Sequence, residues 1–182
     1  VFDGNGHTVT ITYTGKATNG AHHYNFIGTL NAGGVLKNIK ICFEGSIGEA
    51  NGAVTNLKGS SFVCKTNNGT IEDLSLEINV KYTNMWENAS WKFISSDGSG
   101  TADRVVIKNN IGSASAAILG CEVSNVLFIG KFSDKIGANA EKNIYSTANE
   151  SGVNETAFNT EPFTQTGLWK VGENGVPYLS AE

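Results

Sequence analysis

The chain has 182 residues and a formal net charge of −4, from 13 basic and 17 acidic side chains. This length allows one sizeable hydrophobic core and does not require a second domain. Because the basic residues are scattered and form no patch, we expect no nucleic-acid partner. No run of apolar residues is long enough to span a bilayer, so we expect no membrane insertion.

The composition and the hydrophobic pattern both favour an all-β fold. The 22 glycines and two prolines are typical of a chain with many tight turns. Apolar and polar residues alternate strictly from Thr8 to Thr14 and from Asp73 to Val80, which is the period of a half-buried strand. No stretch longer than a turn or two has the spacing of an amphipathic helix.

The N-terminal stretch predicts a tight turn, Asp3-Gly4-Asn5-Gly6, followed by a long strand. Val9, Ile11 and Tyr13 lie on one face of this strand, and the threonines between them lie on the other. The chain opens directly in this strand-turn-strand pattern without a signal peptide. We therefore expect it to be a processed product or a fragment of a longer chain.

The stretch from Phe26 to Gly45 predicts a short strand, a glycine turn and a second strand with alternating apolar residues. The same order returns from Phe62, and it places Asp73 where the first unit has Asn38, 35 residues earlier (73 − 38). One such unit cannot bury its own apolar face. Repeats of this length predict a stack of similar turns, a solenoid.

A more degenerate third copy starts at Ile118 and places Asn125 in the position of Asp73. The sequence from Ala102 to Lys108 predicts an additional strand between the second and third copies. We predict stacked turns over residues 1–132, an irregular surface connection over 133–166 and a capping segment over 167–182, all in one domain, 1–182. Trp169 and Tyr178 in the capping segment are expected to cover an open end of the stack.

The three cysteines, Cys42, Cys64 and Cys121, form no C-x-x-C pair and have no histidine at ligand spacing. No metal site and no cofactor are therefore predicted. Alignment of the repeats places Cys64 and Cys121 at nearly equivalent positions, which favours this pair as a disulfide in an oxidising compartment. Buried free thiols are an equally reasonable alternative, because cysteine packs as a small hydrophobic residue.

Four glycosylation sequons point to an extracellular location if they are used. The acceptor residues are Asn68, Asn88, Asn149 and Asn154. Several such sequons are expected by chance in a chain rich in asparagine and threonine. Their use as glycosylation sites therefore stays a hypothesis.

Two groups of residues are candidates for carbohydrate chemistry. Trp86 and Trp91 lie in the most aromatic stretch and could stack on sugar rings, although they could equally cover the side of the solenoid. Asp97, Asp103 and Arg104 offer the paired carboxylates and the basic group of a glycoside-cleaving site. The glycines and serines around them are also what an ordinary turn requires.

The chain resembles the right-handed parallel β-helix proteins, the solenoids of pectate-lyase type, and within them the surface proteins built from GLUG-type repeats. The residues that carry this resemblance are 2–11, 26–41, 62–76 and 167–179. The resemblance implies a cell-surface or secreted scaffold that takes part in adhesion, appendages or the surface of a virion. Enzymes of this fold carry clustered charged residues on one outer sheet, whereas this chain has a single arginine, Arg104.

Two functional hypotheses follow. The first is a non-catalytic, extracellular structural or adhesive module, which self-associates into filaments or contacts neighbouring surface proteins through its strand edges. The second is a carbohydrate-binding or carbohydrate-active β-helix, with Asp73, Asp97, Asp103 and Arg104 as its charged groups and Trp86 and Trp91 as its stacking platform. The first is favoured.

Overall fold

The computed structural model describes residues 1–17, 25–49, 61–82, 90–110, 115–116, 121–130, 142–146 and 158–180. These residues form a mostly β structure with long parallel sheets and one short helix, an arrangement compatible with a β-solenoid. The predicted all-β class is confirmed. Asparagine, glycine and threonine mark the turns and outer strand positions, and aliphatic residues fill the alternate positions.

The elements follow one another as β1 (Phe2–Asp3), β2 (Thr8–Ala17), β3 (Ile27–Leu30), β4 (Val35–Glu49), β5 (Cys64–Asn67), β6 (Thr70–Tyr82), β7 (Ser90–Trp91), β8 (Ser95–Asp97), β9 (Thr101–Asn109), β10 (Ser115–Ala116), β11 (Glu122–Gly130), β12 (Ile144–Ser146), α1 (Glu161–Thr164), β13 (Trp169–Val171) and β14 (Pro177–Leu179).

Seven of the described strands form one parallel sheet in the order β1-β4-β6-β9-β11-β12, with β2 also paired to β4. Each strand pairs with the next one along the stack, and the register is kept over most of its length. The strand predicted from Ala102 is β9, and it lies between the second and third copies of the repeat. Strand β12 extends the stack beyond residue 132, into a segment that was predicted to be irregular.

Aliphatic side chains of equal register form ladders on the inner face of this sheet. One ladder consists of Ile39, Leu74, Val105, Val126 and Ile144, and the next consists of Ile41, Leu76 and Ile107 and ends at the aromatic ring of Phe128. All of these residues are buried. Burying one such side chain contributes about 1.5–3 kcal/mol, so each additional strand adds core that a single repeat lacks.

A smaller parallel sheet, β3-β5-β8, closes the other side of the core. Phe62 and Phe93 precede its strands β5 and β8, and they stack on each other with ring centroids 6.1 Å apart. Phe43 and Phe128 of the large sheet contact this pair at 5.1 and 6.1 Å. Aromatic packing thus joins the two sheets through the centre of the stack.

The turns that join the two sheets require glycine because they stack directly on one another. A Cβ atom on Gly69 would lie 2.3 Å from the carbonyl oxygen of Gly34, and one on Gly100 would lie 2.3 Å from that of Gly69. Such distances cannot be relieved without moving the backbone. The glycine turns of the sequence therefore fix the stacking of successive repeats as well as the local change of direction.

The C-terminal segment, residues 158–180, contains α1 and the antiparallel hairpin β13-β14. Phe163, Trp169 and Leu179 pack against Val106 and Leu127, which point outward from the large sheet. Strand β14 contacts β4 and β6, in the interior of the sheet. Within the described residues, the apolar surface that this segment covers lies on the side of the sheet, and its capping of an open end of the stack stays a prediction.

The two aromatic residues that were expected to close the stack have different environments. Trp169 is buried, whereas Tyr178 is 46% exposed. Successive cross-strand pairs of the hairpin point to opposite faces, and Trp169 pairs with Leu179 whereas Tyr178 belongs to the next pair, with Lys170. The Trp169–Leu179 pair therefore faces the sheet, and the Lys170–Tyr178 pair faces away from it. Within the described residues, no helix is long and apolar enough to cross a membrane.

Candidate functional site

A row of residues with left-handed backbone runs across the large sheet. Asn38, Asp73, Arg104, Asn125 and Asn143 have φ angles of 50°, 53°, 53°, 50° and 53°. Each interrupts the pairing of its strand with the next, so that the flanking residues pair and these five lie beside one another. We call this row the left-handed ladder. It marks one level of the sheet at which these five segments leave the extended conformation.

The residue types of the ladder follow from this conformation, because asparagine and aspartate tolerate positive φ better than other side chains. The equivalence of Asn38, Asp73 and Asn125 was visible in the repeats. Sequence reasoning missed Arg104 and Asn143 as further members. A signal was present, since each ladder residue directly precedes an aliphatic residue that points inward, as Arg104 precedes Val105 and Asn143 precedes Ile144.

Arg104 is the centre of an ion-pair cluster in the middle of the ladder. Its Nε and Nη2 donate to the two carboxylate oxygens of Asp73 at 2.7 and 3.0 Å. Nη1 donates to Asp103, and Nη2 also contacts Glu72 at 3.3 Å. This paired geometry is strong for arginine and carboxylate. It keeps an arginine at a positive φ that an isolated residue would avoid.

Trp169 of the C-terminal hairpin reaches the same carboxylate. Its indole N–H donates to Oδ1 of Asp73 at 2.8 Å, across 96 residues of sequence. Asp73 is 4% exposed and Trp169 is 3% exposed, so this hydrogen bond is shielded from water. Asp73 therefore fastens the C-terminal segment to the sheet, and it does so through a pair that burial makes costly to break.

A chain of hydrogen bonds continues from this cluster towards the last strands. Oδ1 of Asp103 accepts from Ser124 Oγ at 2.7 Å and from Asn125 Nδ2 at 2.8 Å. Asn143 donates to Oδ1 of Asn125 at 2.9 Å and exchanges two hydrogen bonds with the backbone of Asn159. The ladder thus links four strands to the start of the C-terminal segment by polar contacts.

The electrostatics of the cluster favour a structural role. The hydrogen bond to Asp73 and the nearby carboxylates raise the pKa of the Arg104 guanidinium above its already high usual value. A permanently charged arginine cannot transfer a proton. The carboxylates of Asp73 and Asp103 already accept hydrogen bonds from fixed donors, so they are held in place as acceptors.

The structure brings together only part of the predicted catalytic set. Asp103 and Arg104 are in direct contact, with Asp73 and Trp169 beside them. Asp97 belongs to β8 in the smaller sheet, where it pairs with Thr66 and is exposed. Trp86 lies outside the described residues. Trp91 is part of β7, which pairs with β10.

Of the four predicted glycosylation sequons, the one at Asn68 lies among the described residues. Asn68 lies exposed in the turn between β5 and β6, and its side-chain oxygen accepts a hydrogen bond from the backbone N–H of Ser99 at 3.2 Å. This contact uses the side-chain oxygen of Asn68, whereas a glycan would be attached to the amide nitrogen. Asn88, Asn149 and Asn154 lie outside the described residues. Glycosylation at all four sites stays a prediction.

The cysteines are all free thiols, and Cys64 and Cys121 both lie against the core. Burial raises the pKa of the Cys64 thiol to about 12 and also raises that of Cys121. Burial and the nearby Glu77 raise the pKa of Cys42, which lies on the outer face. The predicted disulfide is not formed in the structure, and its formation in an oxidising compartment stays a prediction.

No group of three or more metal-binding side chains of His, Cys, Asp or Glu occurs among the described residues. Comparison with protein-family models, with curated proteins and with solved structures gives no match to this chain.

Proposed function

We propose that this chain is a non-catalytic structural and adhesive module, a parallel β-helix of right-handed type displayed outside the cell on a cell surface, an appendage or a virion. Its role is to provide a stiff body with a long side surface and with strand edges through which modules associate. The resemblance to repeat-built surface proteins and the four sequons are the sequence features that support this proposal.

The observation that carries the proposal is the register of the large parallel sheet. Strands β4, β6, β9 and β11 stack with their buried aliphatic residues in line, so that each repeat depends on its neighbours for its core. A stack of this kind resists bending and stretching along its axis, because the hydrogen bonds between strands run in that direction and connect each repeat to the next. Such mechanical properties suit a scaffold.

The use of the charged residues supports the same proposal. The strongest described cluster, Asp73, Asp103 and Arg104, is joined by internal hydrogen bonds, and Trp169 covers part of it. A catalytic pair of carboxylates would instead face a substrate and hold a proton on one member. The cluster is better suited to holding the hairpin on the sheet than to cleaving a glycosidic bond.

An assay of polysaccharide cleavage tests the absence of catalysis. Neutral and acidic polysaccharides are incubated with the chain, with Asp103→Asn and with Asp97→Asn, and the release of reducing ends and of unsaturated products is measured. We expect no turnover by any of the three. Turnover that disappears in Asp103→Asn, while the variant keeps its circular dichroism spectrum and melting temperature, would overturn the proposal.

A mechanical measurement tests the scaffold role directly. The chain is placed between two marker domains of known unfolding force and stretched by atomic force microscopy. We expect the module to unfold at a higher force than an isolated helical domain, in steps that correspond to groups of repeats. Gradual extension at low force would show that the stack is not stiff, which a scaffold requires.

A further inference from the structure

Strand β2 lies at the N-terminal edge of the large sheet, where it pairs with β4 over its ten residues. No other described strand pairs with it. Val9 and Ile11 pack against the core but are only partly buried. Their partners of equal register on β4, Ile41 and Phe43, are buried. Within the described residues, the inner ladders therefore end at β2 in side chains that one further strand would cover.

The backbone of β2 points alternately towards β4 and away from it. The carbonyl oxygen of His7 accepts a hydrogen bond from the backbone N–H of Lys40 at 3.0 Å. In a parallel pair, alternate residues direct both backbone groups to the same neighbour, so Val9 and Ile11 also bond to β4. The residues between them direct their N–H and C=O groups away from β4. We call these residues the edge threonines: Thr8, Thr10, Thr12 and Thr14.

The residue types from Thr8 to Thr14 are symmetric about Ile11. Each edge threonine has another edge threonine at the same distance on the other side, and Val9 is matched by Tyr13. Two antiparallel copies centred on Ile11 would therefore place threonine opposite threonine and apolar residues opposite apolar residues, both of which are stabilising cross-strand pairs. None of these seven side chains is charged, so no like charges would face each other.

The directions of the backbone groups fit this same register. In an antiparallel pair, residues that exchange two hydrogen bonds lie directly opposite each other. The symmetric register places the edge threonines of one copy opposite those of the other, and all of them direct their backbone groups to the shared edge. A shift of one residue would instead place each edge threonine opposite a residue whose backbone groups are bonded to β4.

The other end of the described sheet is a poorer partner for β2. Strand β12 has three residues, Ile144–Ser146, and the neighbouring Asn143 is already bonded to Asn159 of the C-terminal segment. A head-to-tail contact would leave most of the edge threonines without a backbone partner. Two copies of β2 satisfy all of them, and a two-fold contact of this kind closes on itself.

We propose that two copies of this chain associate through β2, antiparallel and centred on Ile11, as a two-fold symmetric dimer. This assignment rests on the proposed role of the strand edges in association, and it names the edge and the partner. The two stacks are then joined at their N-terminal ends, with Val9 and Ile11 of each copy covered by the other. The force measurement on a single module is independent of dimer formation, so the scaffold role and the dimer can fail separately.

Sedimentation equilibrium of the full chain tests the number of copies. The chain is measured from about 1 µM to 1 mM, which covers the range of a weak interface. We expect the mass to rise from the 19.2 kDa of one chain to twice this value and no further. A mass of one chain at every concentration would overturn the proposal, and so would growth beyond two chains, which indicates a head-to-tail contact.

Hydrogen exchange of the backbone amides tests the edge and the register. With rising concentration, the amides of the edge threonines should exchange more slowly, because the dimer gives them hydrogen-bond partners. The amides of Val9 and Ile11 already bond to β4 and should change much less. Unchanged exchange of the edge threonines in a sample that dimerises would place the contact elsewhere and contradict the proposal.

Two charge variants test which residues face each other, because residue 10 of one copy faces residue 12 of the other. Thr10→Lys combined with Thr12→Lys places two like-charged pairs across the contact and should weaken the dimer about tenfold at low salt. Thr10→Glu combined with Thr12→Lys places two oppositely charged pairs there and should bind at least as tightly as the unmodified chain. Both variants carry the same lysine in register with Glu44 of β4.

The unfolding midpoints of the two charge variants are measured at low concentration, where each chain is monomeric. Both should match that of the unmodified chain, because positions 10 and 12 are exposed. Equal dissociation constants for the two variants would overturn the proposed register. Weaker association of the oppositely charged variant than of the lysine variant would overturn it as well.

Discussion

The inner aliphatic ladders and the left-handed ladder are both built by stacking, but they differ in what their residues do. Inner positions such as Leu74 and Leu76 are interchangeable aliphatic residues that contribute through burial alone. Ladder positions such as Asp73 and Arg104 need particular side chains, because each has a specific hydrogen-bond partner. The comparison separates the general stability of the stack from the specific attachment of its C-terminal segment.

The largest effect is expected from an inner position. Phe93→Ala removes a fully buried ring from between Phe62 and Phe128, and it should lower the free energy of unfolding by about 3–5 kcal/mol through loss of burial and creation of a cavity. Urea denaturation followed by fluorescence measures this loss. Phe93→Leu is the matched control and should cost about 1.5 kcal/mol or less. Equal losses of stability in the two variants would show that the lost side-chain volume at position 93 is not the cause.

Substitutions of Asp73 test how much the left-handed ladder contributes to the free energy of unfolding. Asp73→Ala leaves Arg104 with fewer partners and puts alanine at positive φ, so it should lower the free energy of unfolding by about 3 kcal/mol. Asp73→Asn tolerates this φ and keeps an oxygen for Trp169, and it should cost about 1–2 kcal/mol. The difference between these variants in urea denaturation measures how much of the effect comes from conformation and how much from charge.

The attachment of the hairpin is tested by Trp169→Phe, which keeps an aromatic ring but removes the N–H that binds Asp73. We expect a loss of about 1–2 kcal/mol, with faster hydrogen exchange confined to residues 158–180. The same variant on an Asp73→Ala background should cost less, because that substitution has already removed the acceptor of this hydrogen bond. Additive losses in this double-mutant cycle would show that the hydrogen bond contributes nothing specific.

The smallest effect concerns Cys64 and appears only at alkaline pH. Its folded pKa of about 12 lies above the ordinary value of 9.0, so the unfolded state releases this proton first. The stability contributed by the neutral thiol is present below pH 9 and is lost as the pH rises towards 12, by about 1.4 kcal/mol at pH 10. Cys64→Ala should therefore have a flatter dependence of stability on pH above 9, measured by urea denaturation. An identical slope would contradict the assigned burial of the thiol.

Part of the left-handed ladder could be predicted from the sequence. Asn38, Asp73 and Asn125 were aligned because they hold the same place before an alternating strand, and this place is where the backbone turns left-handed. Arg104 was considered only as a catalytic group, because arginine is rarely a turn residue. Its place in the ladder depends on partners from other strands, which a local pattern does not contain.

The surface against which the C-terminal segment packs could not be predicted from the sequence either. Outward positions on β4 and β6 hold Lys40 and Ser75, whereas the same register on β9 and β11 holds Val106 and Leu127. This change from polar to apolar marks the covered area, but it is visible only once the register is known. Without it, Trp169 was expected at an end of the stack.

The sequence by itself determined the all-β class, the repeat, the glycine turns and the inward alternation of aliphatic residues, because these depend on periods of two residues and on backbone conformations set by neighbouring residues. The tertiary structure alone decided the partners of Arg104 and the burial of Trp169 against Asp73. These features join residues up to 96 positions apart. Their energies come from burial and from hydrogen-bond geometry, which exist only after the repeats have stacked.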